Sequence, residues 1–160
     1  MSSGLPKGIQ KKMTKEINTV FEITEFNLRP KNFSSEATGD LNNRIDLSRF
    51  FEVYANDNLL GYAYLGVAPS KTDIFDFLVL FDTDIIVKKA KVLAYREDYG
   101  GEIGSKRWLK QFIGKSTNEE LKVGNGIAAI SGATISVESM TKAMNNLLNC
   151  LQILQGKNQF

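Results

Sequence analysis

Two segments with helical apolar spacing enclose a stretch in which apolar residues alternate, and this change of period restricts the chain to few architectures. Near the N-terminus, Leu5, Ile9, Met13, Ile17, Val20 and Phe21 recur every three or four positions, and Pro6 suits a first helical turn, so an amphipathic helix is predicted there. At the other end, Met140, Met144, Leu147, Leu148, Leu151 and Leu154 form a continuous apolar stripe closed by Gly156. From Arg49 onward the period falls to two. Phe51, Val53 and Ala55 alternate with other residues, Asn56-Asp57-Asn58 supplies turn chemistry, and Leu60 to Leu65 continues as a return strand. A second hairpin runs from Phe75 to Phe81, turns at Asp82-Thr83-Asp84 and returns from Ile85 to Tyr95. In that return, Ile86, Lys88, Ala90, Val92 and Ala94 alternate, which predicts one covered face. The expected class is α+β: a small antiparallel sheet packed with an N-terminal helix and a long C-terminal helix.

The remaining segments are less regular. Residues Glu22 to Leu47 contain Pro30, Ser34, Ser35, Gly39 and Asp40 and are expected to form a strand followed by a loop. No composition break marks a boundary, so residues 1–160 are expected to form a single domain. After Gly100-Gly101, Ser105 is placed to cap a short helix carrying Trp108, Leu109 and Phe112 and ending at Gly114. Leu121 to Ile130, around Gly124-Asn125-Gly126, reads as a loop or brief strand.

What the chain lacks excludes several chemistries. It has no histidine, which removes Ser-His-Asp triads, Cys-His pairs and His-ligated zinc or haem. Cys150 is alone, so no internal disulfide or thiolate cluster is available, and its place in the apolar stripe makes it a core residue. The spacing of Asp73, Asp76, Asp82 and Asp84 does not fit a calcium loop and reads as turn and strand-edge chemistry, so no metal site is expected. No carboxylate pair stands out for acid/base work, and no catalytic residue is assigned. A net charge of +2 with intermixed signs gives no footprint for nucleic acid. Lys7, Lys11, Lys12 and Lys15 read as a solvated helix face. No apolar run reaches the roughly 18–20 residues that span a bilayer, and Met1 to Pro6 lacks the apolar core of an export signal. That leaves either a cytoplasmic chain or one from which an export segment has been removed.

One turn has chemical character. Ser131-Gly132-Ala133-Thr134-Ile135-Ser136 lies directly before the C-terminal helix, where main-chain N–H groups lack intrahelical partners and the macrodipole favours negative charge. Gly132 and Ala133 leave room for a ligand at the main chain. Ser131, Thr134 and Ser136 offer hydroxyls, Ser136 being a natural N-cap. A phosphate here would gain about 0.3–1 kcal/mol from the dipole, besides direct hydrogen bonds.

The same residues carry a resemblance. Ser131-Gly132-Ala133-Thr134 resembles the flavin-attachment segment of FMN-binding domains, such as those in the sodium-pumping NADH:quinone reductase and the Rnf electron-transport complex. A second block, Tyr95 to Gly104, is similar to that family's acidic, Gly-rich loop. It is followed, as in the family, by an aromatic-plus-Gln-Phe helix, here Trp108 to Lys115. The similarity is strongest over residues 75–148. The resemblance implies that Thr134 carries FMN through a phosphoester installed by a flavin transferase outside the cytoplasm. It further implies that Ser131, Gly132, Ala133 and Ser136 surround the phosphate, and that Glu97, Tyr99, Gly100 and Gly101 lie near the isoalloxazine. Two positions depart from the pattern. Ala128 stands where the family usually has an aspartate, and Asp98-Tyr99 where the respiratory members more often have Thr-Pro, which suggests a stand-alone branch.

The function so implied is electron relay in a membrane-associated redox chain, extracytoplasmic, with redox donor and acceptor proteins as partners and no organic substrate of its own. Two other readings are a flavin-dependent reductase with its own small-molecule substrate, and a binding module that keeps the fold without the cofactor.

Overall fold

In the computed structural model, which describes residues 5–160, a five-stranded antiparallel sheet of order β1-β2-β3-β4-β5 has one long helix on each face. The reading of the N-terminal residues as lacking an export signal falls largely on residues 1–4, outside the described residues. Helix α1 (Lys7–Phe21) buries Ile9, Met13 and Ile17, as their spacing requires, and ends where Glu22 takes a left-handed φ of 54°. Strand β1 (Asn27–Pro30) follows. The expected loop after it contains the short helix α2 (Ser35–Thr38), capped by Ser34, and 3-10 turns at Gly39–Asn43 and Leu47–Arg49. Ala37, Leu41, Ile45 and Leu47 are buried here, so isolated apolar residues too sparse to show a period order this segment against the core.

Strands β2 (Phe50–Ala55) and β3 (Asn58–Pro69) form the first hairpin, with Ala55 opposite Asn58 and Asn56 at φ 56° in the two-residue turn. Strands β4 (Ile74–Phe81) and β5 (Val87–Ala94) form the second. Asp82 Oδ1 closes its turn by accepting from the N–H groups of Asp84 (2.9 Å) and Ile86 (3.0 Å).

Both faces of the sheet are covered, which corrects the expectation of one covered face on β5. An irregularity between Leu80 and Phe81 sets Lys89 opposite Leu80 but Val87 opposite Phe81, so the simple alternation breaks. Val87, Ala90 and Val92 belong to the core layer that also holds the C-terminal helix, Leu93 belongs to the α1 layer, and Lys88 is exposed. Phe51, Val53, Ala63, Leu65, Leu78 and Leu80 join Leu93 on the α1 side.

Helix α3 (Lys106–Leu109) is capped as predicted, Ser105 Oγ accepting from Trp108 N–H at 3.1 Å, and Gly114 turns the chain at φ 87°. Two-residue strands β6 (Lys122–Val123) and β7 (Gly126–Ile127) lead to helix α4 (Thr134–Gly156). Met140, Met144, Leu147, Leu148, Leu151 and Leu154 are all buried, and burying each such side chain contributes about 1.5–3 kcal/mol. Cys150 is buried with them, and burial pushes its thiol pKa up. This stripe clamps α4 to the sheet and thereby fixes where its first turn points. No helix of the described residues is long and apolar enough to cross a membrane.

Candidate functional site

The start of α4 opens into a cleft of about 440 Å³, within the range of roughly 300–1,000 Å³ typical of small-molecule sites. Gly132, Ala133, Thr134, Ile135 and Ser136 form one wall. Tyr95, Glu97 and Tyr99, from the segment leaving β5, form another, and Lys71 projects from the β3–β4 turn.

The turn before the helix is built from below. Ala133 N–H donates to Ile130 O at 3.1 Å, and Gly132 adopts φ 81°, a left-handed conformation that glycine tolerates without strain. A β-carbon on Gly132 would meet no atom within 4 Å, so this main chain faces open space. The first helical bond is Val137 N–H to Ala133 O at 2.9 Å. Among the described residues, no acceptor meets the N–H groups of Thr134, Ile135 and Ser136, which leaves three donors at the positive end of a 23-residue helix.

Ser136 is not the N-cap. The cap position belongs to Ala133, which makes no side-chain capping bond, and the helix begins at Thr134. Ser136 instead lies in the first turn, 2% exposed, and its Oγ shares a hydrogen bond of 2.9 Å with the Tyr95 hydroxyl. Tyr95, which sequence reasoning passed over, rests edge-on against Phe75 and so ties the helix start to the sheet. Thr134 is exposed, and its hydroxyl makes no hydrogen bond among the described residues. That hydroxyl is therefore open to a ligand in the cleft.

The second sequence block meets the first by direct contact. Gly100, at φ 76°, passes so close behind the turn that a β-carbon there would lie 2.5 Å from Ala133 Cβ. Tyr99 stands beside it at the mouth of the cleft, 80% exposed, and Ile135 also lines the cleft at 48%. Two large apolar surfaces left uncovered at a cleft mouth suit a flat ring that would cover them.

Glu97 lines the cleft and also binds the β3–β4 turn. Its Oε2 accepts from the Ser70 hydroxyl, from Thr72 N–H at 2.8 Å and from Asp73 N–H at 3.1 Å, while its Oε1 accepts from the Thr72 hydroxyl at 2.8 Å. These bonds, the Ser70 hydroxyl first, hold its pKa down to about 2. The carboxylate thus staples the β3–β4 turn to the cleft wall. Ser131 and Gly101 lie outside the cleft lining. Ser131 is exposed, and Gly101 begins a 3-10 turn with open space around it.

Ala128 is also informative. Its carbonyl accepts from Trp108 Nε1 at 2.7 Å, and its N–H donates to Gln111 Oε1 at 2.7 Å. The approach to the Ser-Gly-Ala-Thr turn is therefore positioned through the main chain of residue 128. Trp108, 5% exposed, is a core residue that also holds this strand end.

Free main-chain donors, an open hydroxyl, a lysine and a partly apolar mouth together suit a phosphate-bearing ligand with a flat ring. Residues 72–149, just under half of the chain, match the family model described as the FMN-binding domain, the family that the two sequence blocks resemble. The match extends a few residues beyond the segment of strongest resemblance at its start and by one at its end, and it includes every cleft residue except Lys71. FMN is the cofactor this match supports, and the residues present fit it in charge and in room. No curated protein matches the chain.

Proposed function

We propose that this protein is an electron carrier whose FMN is esterified through its phosphate to Thr134. When bound, FMN supplies reversible electron transfer, and the chain binds and orients it. Thr134 would hold the FMN phosphate as an ester: a flavin transferase would take FMN from a flavin dinucleotide, the phosphoanhydride P–O bond breaking as the Oγ1–P bond forms, with the nucleoside monophosphate and the Thr134 proton released. The N–H groups of Thr134, Ile135 and Ser136 receive the phosphate oxygens, and the helix dipole offsets their charge. Tyr99 and Ile135, exposed along the cleft, would hold the flavin ring. The donor and acceptor are proteins of a membrane-associated redox chain, and the setting is extracytoplasmic, where the flavin transferase works.

The observation that carries this reading is the unpartnered hydroxyl of Thr134 at a helix start with three unused N–H donors. Co-expression with a flavin transferase, followed by acid denaturation, tests it. The yellow colour should stay with the polypeptide and the intact mass should rise by one flavin phosphate. Colour released into the supernatant would exclude the ester, and colourless protein would exclude the carrier role.

A further inference from the structure

We propose that Lys71 is the phosphate-recognition residue of the cleft, so that the site discriminates FMN from riboflavin by charge. The inference rests on the reading of this cleft as the FMN site, but the residue lies just before the family match and is not part of it.

The β3–β4 turn is fixed at every residue but one. Ser70, Thr72 and Asp73 all donate to the Glu97 carboxylate, and Ser70 N–H donates to Asp73 O at 2.9 Å. Lys71 alone takes no part in these bonds, and its side chain lines the cleft. Just before it, Pro69 O accepts the hydroxyl of Ser139, which sits in the second turn of α4. The turn is thus docked against the same end of α4 that carries Thr134, and Lys71 lines the cleft with that helix start.

Its charge is uncompensated. Among the described residues, no ion pair or hydrogen bond reaches Lys71, and the one carboxylate lining the cleft is Glu97. Both Glu97 oxygens are already taken up by the turn. An anion entering the cleft meets an ammonium on one side and the positive helix end on the other. Glu97 acts here as a positioning residue, because it presents the lysine without neutralising it.

The test is a titration of protein expressed without a flavin transferase, using FMN and riboflavin as probes, at two salt concentrations. Wild type should bind FMN more tightly than riboflavin. Lys71→Gln should weaken FMN about tenfold or more, the loss expected for one charge-assisted contact, and leave riboflavin unchanged. Lys71→Arg should retain most of the preference, and Lys71→Gln should flatten the salt dependence. Because Lys71 is exposed, neither substitution should move the denaturation midpoint. Equal FMN binding by wild type and Lys71→Gln would overturn the inference and leave the site reading intact. Equal loss of FMN and riboflavin would also overturn it, as a general disturbance of the cleft. Absence of FMN binding by wild type, in solution and after exposure to a transferase, would overturn both.

Discussion

Gly100 and Ala133 lie in van der Waals contact where the two walls of the cleft meet, with space for a hydrogen but none for a methyl group. Gly100→Ala should therefore do two kinds of damage. The new Cβ would collide with Ala133, and φ 76° strains any residue with a side chain, at a combined cost of about 1–3 kcal/mol. Urea denaturation of the variant should show a lower midpoint at unchanged m-value, together with weaker flavin retention. Gly101→Ala, where no atom lies within 4 Å, is the control and should be near neutral. A wild-type midpoint for Gly100→Ala would mean that the two loops do not touch.

Tyr95→Phe removes one half of a buried hydrogen bond and leaves Ser136 Oγ without its partner. That should cost about 1–2 kcal/mol. Adding Ser136→Ala to Tyr95→Phe should recover part of the loss, because no orphaned hydroxyl then remains. A double-mutant cycle read by chemical denaturation measures the coupling, and strict additivity would show that the two hydroxyls do not interact.

The Glu97 carboxylate gives a pH signature with a definite sign. Its pKa is about 2 in the folded chain against an ordinary 4.5, so the folded state favours the ionised form. The stabilisation is fully present above about pH 4.5 and is lost as the pH falls toward 2. Wild type and Glu97→Gln should differ by a constant amount near neutrality and converge as the pH approaches 2. Denaturant midpoints for both proteins from neutrality down to that pH test this, and parallel curves over the whole range would contradict the assignment.

Thr134→Ala should abolish covalent flavin while changing stability by no more than about 0.5 kcal/mol, because the hydroxyl is exposed and makes no internal bond. Thr134→Ser, which keeps a hydroxyl, should still gain flavin mass on co-expression with a transferase. Mass gain on Thr134→Ala would move the attachment to another residue.

Ala128→Asp should raise the yield of esterified protein without altering the fold. The residue is exposed, and its structural bonds run through main-chain atoms that the substitution keeps. Intact-mass measurement after co-expression compares the two yields. An equal yield would show that the transferase does not read this position.

The elements with strong periods are legible in the chain: α1, α4, both hairpins and the Ser105 cap all stand where spacing and turn chemistry put them. The Ser-Gly-Ala-Thr turn is legible too, because small residues before a long amphipathic run leave few alternatives. What stays hidden depends on contacts between distant segments. Lys71 and Tyr95 lie 63 and 39 positions before Thr134 and carry no local pattern. Glu97 stands out as a residue of the site, but its partners sit 24 to 27 positions earlier, so its service to the turn cannot be read locally. A serine near a helix start fits the rule for a cap, and only the burial of Ser136 under Tyr95 shows otherwise. The β5 face escapes the pattern because two irregularities interrupt the β4–β5 ladder, and apolar spacing does not announce where they occur.

The sheet divides the molecule into a working side and a supporting side. No residue of α1 or of the apolar layer beneath it borders the cleft. Substitutions in that layer should therefore add to those around Thr134 without coupling, which makes it the natural reservoir for thermostabilised variants. The opposite layer offers no such freedom: Ala133 belongs to it and forms part of the cradle, so repacking there would shift the anchor itself.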